Sequence, residues 1–447
     1  LLIRKKSGYN KKDVSTHTDS SSGGATVSRW PNKYVIGLTG NIAVGKSVVR
    51  QMLQHLGAYP IDADGLSHQA MQPGAPAYKP VVDTFGQFIL GPDKRINRAL
   101  LGQIVFSNPE ALAKLEAIVH PVVRQAINTL VARSKQRVVV IEAIKLLESG
   151  LADGLDAIWV VDASPETQLK RLMQKRNMSE ADARQRISAQ NPQADKLARA
   201  TVVINNNDNV EETWKQVQDA WNGVRQAVTR QAASAQTIPS MPKGAVQQAA
   251  AAAAAAKTPT ATPTPPQPQP AQPAAVDARD LRVEVKRGMP GNAEDIANFI
   301  TSVTGKTTSR MDIMLAFGQK SYLLAQDQNG GHVGVIGWQV ENLITRTDEF
   351  HLRPNVPPTP VITALIAAIE EASTDLQSEV SFIFLPSSTS DAIVQPFLKQ
   401  GYELTTVKEI KIPAWREAVQ EVVNASNESS FRILTKKLRE DRVLQPL

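Results

Sequence analysis

The chain has 447 residues, 42% of them hydrophobic and 21% charged, and a formal net charge of +7. That length suits two or three domains, each able to bury its own core. The absence of cysteine excludes disulfides and thiolate metal sites. No apolar run approaches the roughly 20 residues that cross a bilayer, and the first thirty residues lack a signal-peptide core; a cytoplasmic location without a membrane partner is expected. The positive balance suits anionic ligands. No helix or hairpin concentrates it with interleaved aromatics, so no specific nucleic-acid partner is expected.

In chain order, residues 1–32 carry Arg4-Lys5-Lys6, Lys11-Lys12 and Ser20-Ser21-Ser22-Gly23-Gly24, the composition of a disordered basic arm. Over 33–224 strand-like and helix-like segments alternate. Strands are expected at 34–38, 138–141, 158–161 and 202–204, with a short apolar step at 58–61. Helices are expected at 46–56, through 98–134, at 165–176 and at 210–222. This alternation predicts an α/β domain, a parallel sheet with flanking helices. Residues 225–280 hold the Ala249–Ala256 run and a Thr/Pro tract from Thr258 to Pro268, and read as a linker. A second, α+β segment over 281–413 is expected to have a strand at 281–285 and a helix near 292–303. A hairpin of 322–326 with 333–341 turns around Asn329-Gly330-Gly331. A helix at 360–374, a strand at 380–385, a helix at 390–400 and a strand at 402–412 complete it. The tail, 414–447, reads as helical and then polar.

The most informative motif is Gly40-Asn41-Ile42-Ala43-Val44-Gly45-Lys46-Ser47, which follows an apolar strand and opens a helix. Gly40 and Gly45 permit a tight turn whose backbone N–H groups face inward, so the loop is a phosphate cradle. Lys46 would reach the β- and γ-phosphates and Ser47 would hold Mg²⁺. Asp62 and Asp64 follow the next apolar step, where strand tips converge. A carboxylate there can act as general base toward a hydroxyl or as an outer Mg²⁺ ligand, and equally as a helix N-cap. Arg171, Lys175, Arg176, Arg184 and Arg186 crowd a helix–turn–helix in which Ser179 caps the second helix. Such a segment is either a cationic helical lid over the transferring phosphoryl group or a solvated charged face. No guanine-reading Asn-Lys-x-Asp occurs late in the segment, which argues against a GTPase.

With these residues in view, 33–224 resembles the dephospho-CoA kinase family, P-loop enzymes that phosphorylate the ribose 3′-hydroxyl of dephospho-CoA with ATP. The resemblance runs through Gly37-Leu38-Thr39-Gly40, Gly45-Lys46-Ser47, Asp62-Ala63-Asp64, Phe85-Gly86, Ile96-Asn97-Arg98 and Leu115-Glu116-Ala117-Ile118-Val119-His120-Pro121. It continues through Leu146-Leu147-Glu148, Pro165 to Arg171, Arg186-Ile187 with Gln190, and Val203-Ile204-Asn205. It implies ATP and Mg²⁺ as cofactors and dephospho-CoA as the small-molecule partner. Asp64 would be the base, with Asp62 beside it. Lys46 and Arg171 would act on the phosphates together with the cradle and Arg176. Arg98, His120 and Glu148 would lie around the acceptor, Arg98 on its pyrophosphate; His120, before Pro121 at an expected helix break, is as readily structural. Departures are Glu142, Ile144-Lys145 in place of the family's Pro-Leu, Lys175 in place of a lid arginine, and Ala200-Thr201 in place of Ala-Asp.

Residues 281–413 resemble the Gcn5-related acetyltransferases through the order of elements and Phe397-Leu398-Lys399-Gln400-Gly401-Tyr402-Glu403. The family's glycine-bearing pyrophosphate loop appears here as Arg353-Pro354-Asn355-Val356-Pro357-Pro358-Thr359-Pro360. Proline offers no N–H, so a binding or assembly role, with a protein partner through 281–447, is expected over catalysis. Two further readings stand beside the leading one: a nucleotide-binding scaffold or interaction protein, and a P-loop kinase for another small-molecule hydroxyl.

Overall fold

In the computed structural model, which describes residues 29–176, 178–235, 281–424 and 428–444, the apolar run Tyr34–Thr39 forms strand β1, with Val35 to Thr39 buried. A strand covered on both faces needs such a run. There follow α1 (Lys46–His55), β2 (Tyr59–Asp62), α2 (Ala63–Ala70), α3 (Tyr78–Phe85), α4 (Arg98–Ser107), α5 (Pro109–Arg133) and β3 (Val138–Glu142). The first unit ends with β4 (Ala157–Asp162), α6 (Pro165–Arg176), α7 (Glu180–Ser188), α8 (Gln193–Ala198), β5 (Val202–Asn205) and α9 (Val210–Ala235). Its strands pair parallel in the order β2-β3-β1-β4-β5. The carboxyl ends of β1, β2 and β3 therefore open on one side of the sheet. The cradle follows β1, Asp62 closes β2 and Glu142 closes β3, at the crevice where an open α/β sheet takes its ligands.

The second unit comprises β6 (Val283–Gly288), α10 (Ala293–Thr304), α11 (Arg310–Ala316), β7 (Ser321–Asp327), β8 (His332–Glu341) and β9 (Ile344–Leu352). It continues with α12 (Pro358–Asp375), β10 (Val380–Pro386), α13 (Asp391–Lys399), β11 (Glu403–Thr405), α14 (Pro413–Asn424) and β12 (Phe431–Lys437). Its sheet has the order β11-β12-β10-β9-β8-β7-β6. All pairs are antiparallel except β9 with β10.

Five expectations need correction. The strand expected over 402–412 ends at Thr405, and 406–412 form turn and loop leading into α14. The tail is not merely helical and polar, because Phe431–Lys437 enters the second sheet between β10 and β11. Helix α9 runs past 222 to Ala235, so the segment expected to be linker from 225 begins as helix, and 236–280 lie outside the described residues. The basic arm is not free to its expected end at 32. Trp30 is buried and donates its indole N–H to Asn128 Oδ1 at 3.2 Å, while residues 1–28 lie outside the described ones. Finally, no helix break precedes Pro121, which sits inside the continuous α5. Among the described residues no helix is long and apolar enough to cross a membrane.

The two units share one apolar core, in which Tyr59, Leu66 and Leu130 of the first meet Leu343 and Leu376 of the second. Hydrogen bonds stitch its edges. Gln377 Nε2 donates to the Leu130 carbonyl (2.8 Å), Gln69 Nε2 to the Asn342 carbonyl (2.6 Å), and Gln51 Nε2 to Ser321 Oγ (3.1 Å). His55 Nε2 lies 3.0 Å from the Phe317 carbonyl and is packed edge-on between Trp214 and Phe317. The seam thus runs along α1, the helix that starts at the cradle.

Candidate active site

The cradle is built on backbone that only glycine adopts cheaply. Gly40 and Gly45 have φ of +148° and +99°. A Cβ at Gly40 would meet Val44 Cγ2 at 2.9 Å as well as the Val161 carbonyl, and one at Gly45 would strike the Asn206 amide. The loop's outward carbonyls are tied back. Asn206 Nδ2 donates to the Val44 carbonyl (2.7 Å), and Arg171 Nη1 to those of Val44 (3.1 Å) and Ala43 (3.2 Å). Arg171 Nη2 holds the Asn206 carbonyl at 2.7 Å. With these carbonyls pinned, the N–H groups point to the interior, as an anion site requires. The Ile42 N–H donates to Gln190 Oε1 (2.8 Å) and the Asn41 N–H to Gln193 Oε1 (3.1 Å). Each of these two N–H groups is thus paired with a glutamine side-chain oxygen. Lys46 is buried, its Nζ 3.3 Å from the Asn41 carbonyl, and Ser47 is exposed.

Across from the cradle lie carboxylates. Asp62 caps α2, accepting from the Gly65 N–H at 2.9 Å; this part of the N-cap reading holds. Asp64, on the first turn of α2, accepts from the Ile144 N–H at 3.0 Å. Burial, together with the Asp62 charge, pushes the Asp64 carboxyl above its ordinary value against the pull of that N–H and of Lys46. Glu142 is buried and paired with Arg50, whose Nε donates at 2.6 Å. Burial and Asp62 raise the Glu142 carboxyl despite the guanidinium beside it.

Among the described residues no group of three or more His, Cys, Asp or Glu could by itself hold a metal ion. The available donors are the Ser47 hydroxyl and carboxylate oxygens in the same cleft, hard ligands that fit Mg²⁺ sharing its shell with phosphate oxygens and water.

Lys46, Ser47, Asp62, Asp64, Glu142 and Arg171 line one cleft of about 790 Å³. Ile42, Ala43 and Gly45 of the cradle line it too, whereas Arg98, His120 and Glu148 are not among its lining residues. Arg98 opens α4 and donates to Glu417 of the second unit at 3.0 Å, bordering a smaller pocket with His68 and Gln72. Glu148 accepts from Asn191 Nδ2 at 2.9 Å. His120 is half-buried on α5, its imidazole pushed below its usual value by burial and pulled back by Glu116. The Arg176 side chain lies outside the described residues. Arg50, Gln193, Lys196 and Asn206 were not among the candidates. Lys196 Nζ holds Asn41 Oδ1 at 2.8 Å, so each of the four braces the cradle or its carboxylates. Gln190 had a local signal, its place four residues after Arg186. Arg50 had none, since its partner is 92 positions away.

The family model for dephospho-CoA kinase matches residues 34–212. The dephospho-CoA kinase of Geobacter sulfurreducens is 43% identical over 190 residues, which span 42% of this chain and 96% of that enzyme. The solved dephospho-CoA kinase of Campylobacter jejuni aligns with 44% of this chain and 99% of its own at 26% identity and a TM-score of 0.34. A phosphinothricin acetyltransferase of the GNAT superfamily from Sinorhizobium meliloti aligns with 37% of this chain and 93% of its own at 12% identity and a TM-score of 0.28. With curated relatives matched over nearly their whole length, and the cradle and paired aspartates in place in the first unit, the chain belongs to the dephospho-CoA kinase family.

Proposed function

We propose that the chain transfers the γ-phosphate of ATP to the ribose 3′-hydroxyl of dephospho-CoA, giving coenzyme A and ADP. The observation that carries this is a single cleft with the Lys46–Ser47 cradle on one side and the half-buried Asp64 carboxyl on the other. Asp64 takes the proton as the O3′–H bond breaks, the O3′–P bond forms, and the bond to the leaving β-phosphate oxygen breaks. Its raised pKa makes it a stronger base than an exposed aspartate. Lys46 stabilises the charge spreading over the phosphoryl oxygens, while Arg171, held on the Ala43 and Val44 carbonyls, fixes the cradle and stands on the α-phosphate side. Ser47, with Asp62 or Asp64 behind it, would hold Mg²⁺, which supplies further charge neutralisation at the phosphates. Arg98 takes the pyrophosphate of the acceptor, and Glu148 and His120 border it.

The lid reading for the segment from Arg171 to Arg186 is supported by Gln190 and Gln193 just beyond it, which reach onto the cradle N–H groups; ATP phosphates displace them on binding. For the second unit a non-catalytic role is proposed. Pro357, Pro358 and Pro360 occupy the start of α12, removing the N–H donors that a helix end would offer an acyl-CoA pyrophosphate. The test is incubation of purified full-length protein with ATP, Mg²⁺ and dephospho-CoA, with chromatographic detection of coenzyme A. Turnover no faster than in a Lys46→Ala control would refute the proposal.

A further inference from the structure

One wall of the phosphate cleft comes from the second unit. Met311 and Leu315 of α11 line it together with Lys46, Arg171 and Val210. They are 43% and 55% exposed and, four residues apart on one helix, lie side by side on the face toward the cleft. Nothing about the helix that carries them is loose. Ser309 and Asp312 form a capping box at its start, and Arg310 pairs with Glu211 on α9. At the other end the Phe317 carbonyl meets His55 Nε2 at 3.0 Å. Gly318 lies so close to α1 that an added Cβ would stand 3.1 Å from Val48 Cγ1. Two apolar side chains are therefore held at the cleft, uncovered, by contacts on both sides of them.

The direction of the bound phosphates says what covers them. Lys46 reaches the β- and γ-phosphates, and the γ-phosphate must face the carboxylate end, where Asp64 meets the acceptor hydroxyl. The α-phosphate consequently points the other way, toward Arg171, Val210 and α11. We propose that Met311 and Leu315 form the apolar wall against which the base of the nucleoside triphosphate packs, so that the donor site is built by both units. This rests on the reading of the cradle as a nucleoside triphosphate site and extends it to a residue set outside the kinase unit.

The test is isothermal titration of full-length wild-type protein and the Met311→Ser/Leu315→Ser double variant with two probes, ATP and inorganic tripolyphosphate. The variant should bind ATP about tenfold more weakly, the scale expected when a flat ring loses two apolar contacts. Tripolyphosphate, which has no base, should bind both proteins equally and so reports that the cradle is folded. Equal ATP affinity in the two proteins overturns the proposal, as does a parallel loss of both ligands, or no ATP binding by the wild type. Intact ATP binding with this selective loss but no phosphorylation of dephospho-CoA supports the wall and contradicts only the proposed reaction.

Discussion

Replacing Glu417 by glutamine isolates what the second unit does to the acceptor side. The Glu417 carboxylate on α14 reaches three groups of the first unit: Arg98 Nη2 at 3.0 Å, Arg95 Nη1 at 3.8 Å and Gln72 Nε2 at 2.8 Å. The Arg98 side chain is 50% exposed and that of Glu417 29%, so water screens the pair. Ion pairs of this exposure contribute about 0–1 kcal/mol. If Arg98 grips the acceptor pyrophosphate it must give up this contact, and acceptor binding is weakened by at most that amount, a factor of about five at 25 °C. Glu417→Gln keeps an acceptor for Gln72 and removes the charge. Steady-state kinetics at saturating ATP should show the KM for dephospho-CoA falling about two- to fivefold, with kcat and the KM for ATP unchanged, and added salt should narrow the difference. An unchanged KM would mean that the Glu417 pair does not compete with the acceptor for Arg98. A raised KM would mean that Glu417 holds Arg98 in its working position and would refute the competition argued here.

Other perturbations follow from the same geometry. Asp64→Asn should lower kcat by roughly 10²–10⁴-fold, the usual contribution of a positioned base, with ATP affinity by calorimetry little changed. Because burial raises the Asp64 carboxyl, the folded protein holds that proton more tightly than the unfolded chain, and the ionised group opposes folding above its folded pKa. The same variant should therefore unfold at higher urea concentration than wild type at pH 7.5, and a lower midpoint would count against the burial argument. His55 has the opposite sense. Burial lowers its imidazole from 6.5 to about 4, so its contribution to stability is full above pH 6.5 and is lost as pH falls toward 4. That interval, at about 1.4 kcal/mol per pH unit, sets a ceiling of about 3 kcal/mol. Urea midpoints measured from pH 7 to 4.5 should fall more steeply in wild type than in His55→Gln, which keeps a donor for the Phe317 carbonyl; parallel slopes would contradict this. Gly45→Ala should cost about 1–3 kcal/mol of stability, from its positive φ and the Asn206 clash, and abolish measurable ATP binding. Wild-type ATP affinity in that variant would overturn the account of the cradle.

Much of the first unit is legible in the chain because its signals are local. Strand β1 is buried on both faces and so reads as an apolar run, and the cradle's chemistry lies in eight consecutive residues. Ser179 caps α7 as expected, its side chain accepting from the Asp182 N–H. In the second unit β9 escapes a reading by alternation because Asp348 and Glu349 interrupt it; Lys320 Nζ at 2.6 Å and Tyr322 Oη at 3.0 Å satisfy those carboxylates from β7 and just before it. Strand β12 is hidden for another reason, since its place in the sheet depends on pairing with β10, some fifty residues earlier, and with β11 on its other edge. Helix α11 is only seven residues long, too short for periodicity to register. The seam is the least legible feature of all. Arg98 and Glu417 are 319 positions apart and Gln51 and Ser321 are 270, so neither the engagement of Arg98 nor the apolar wall from α11 has any local trace.

The most direct test of the central claim is the stoichiometry and position of phosphate transfer by the full-length protein, followed by ³¹P NMR with ATP, Mg²⁺ and dephospho-CoA. The account predicts one ADP formed for each new phosphomonoester, with that ester on the ribose 3′-oxygen. ADP released without a matching ester, or an ester at another position, would contradict it.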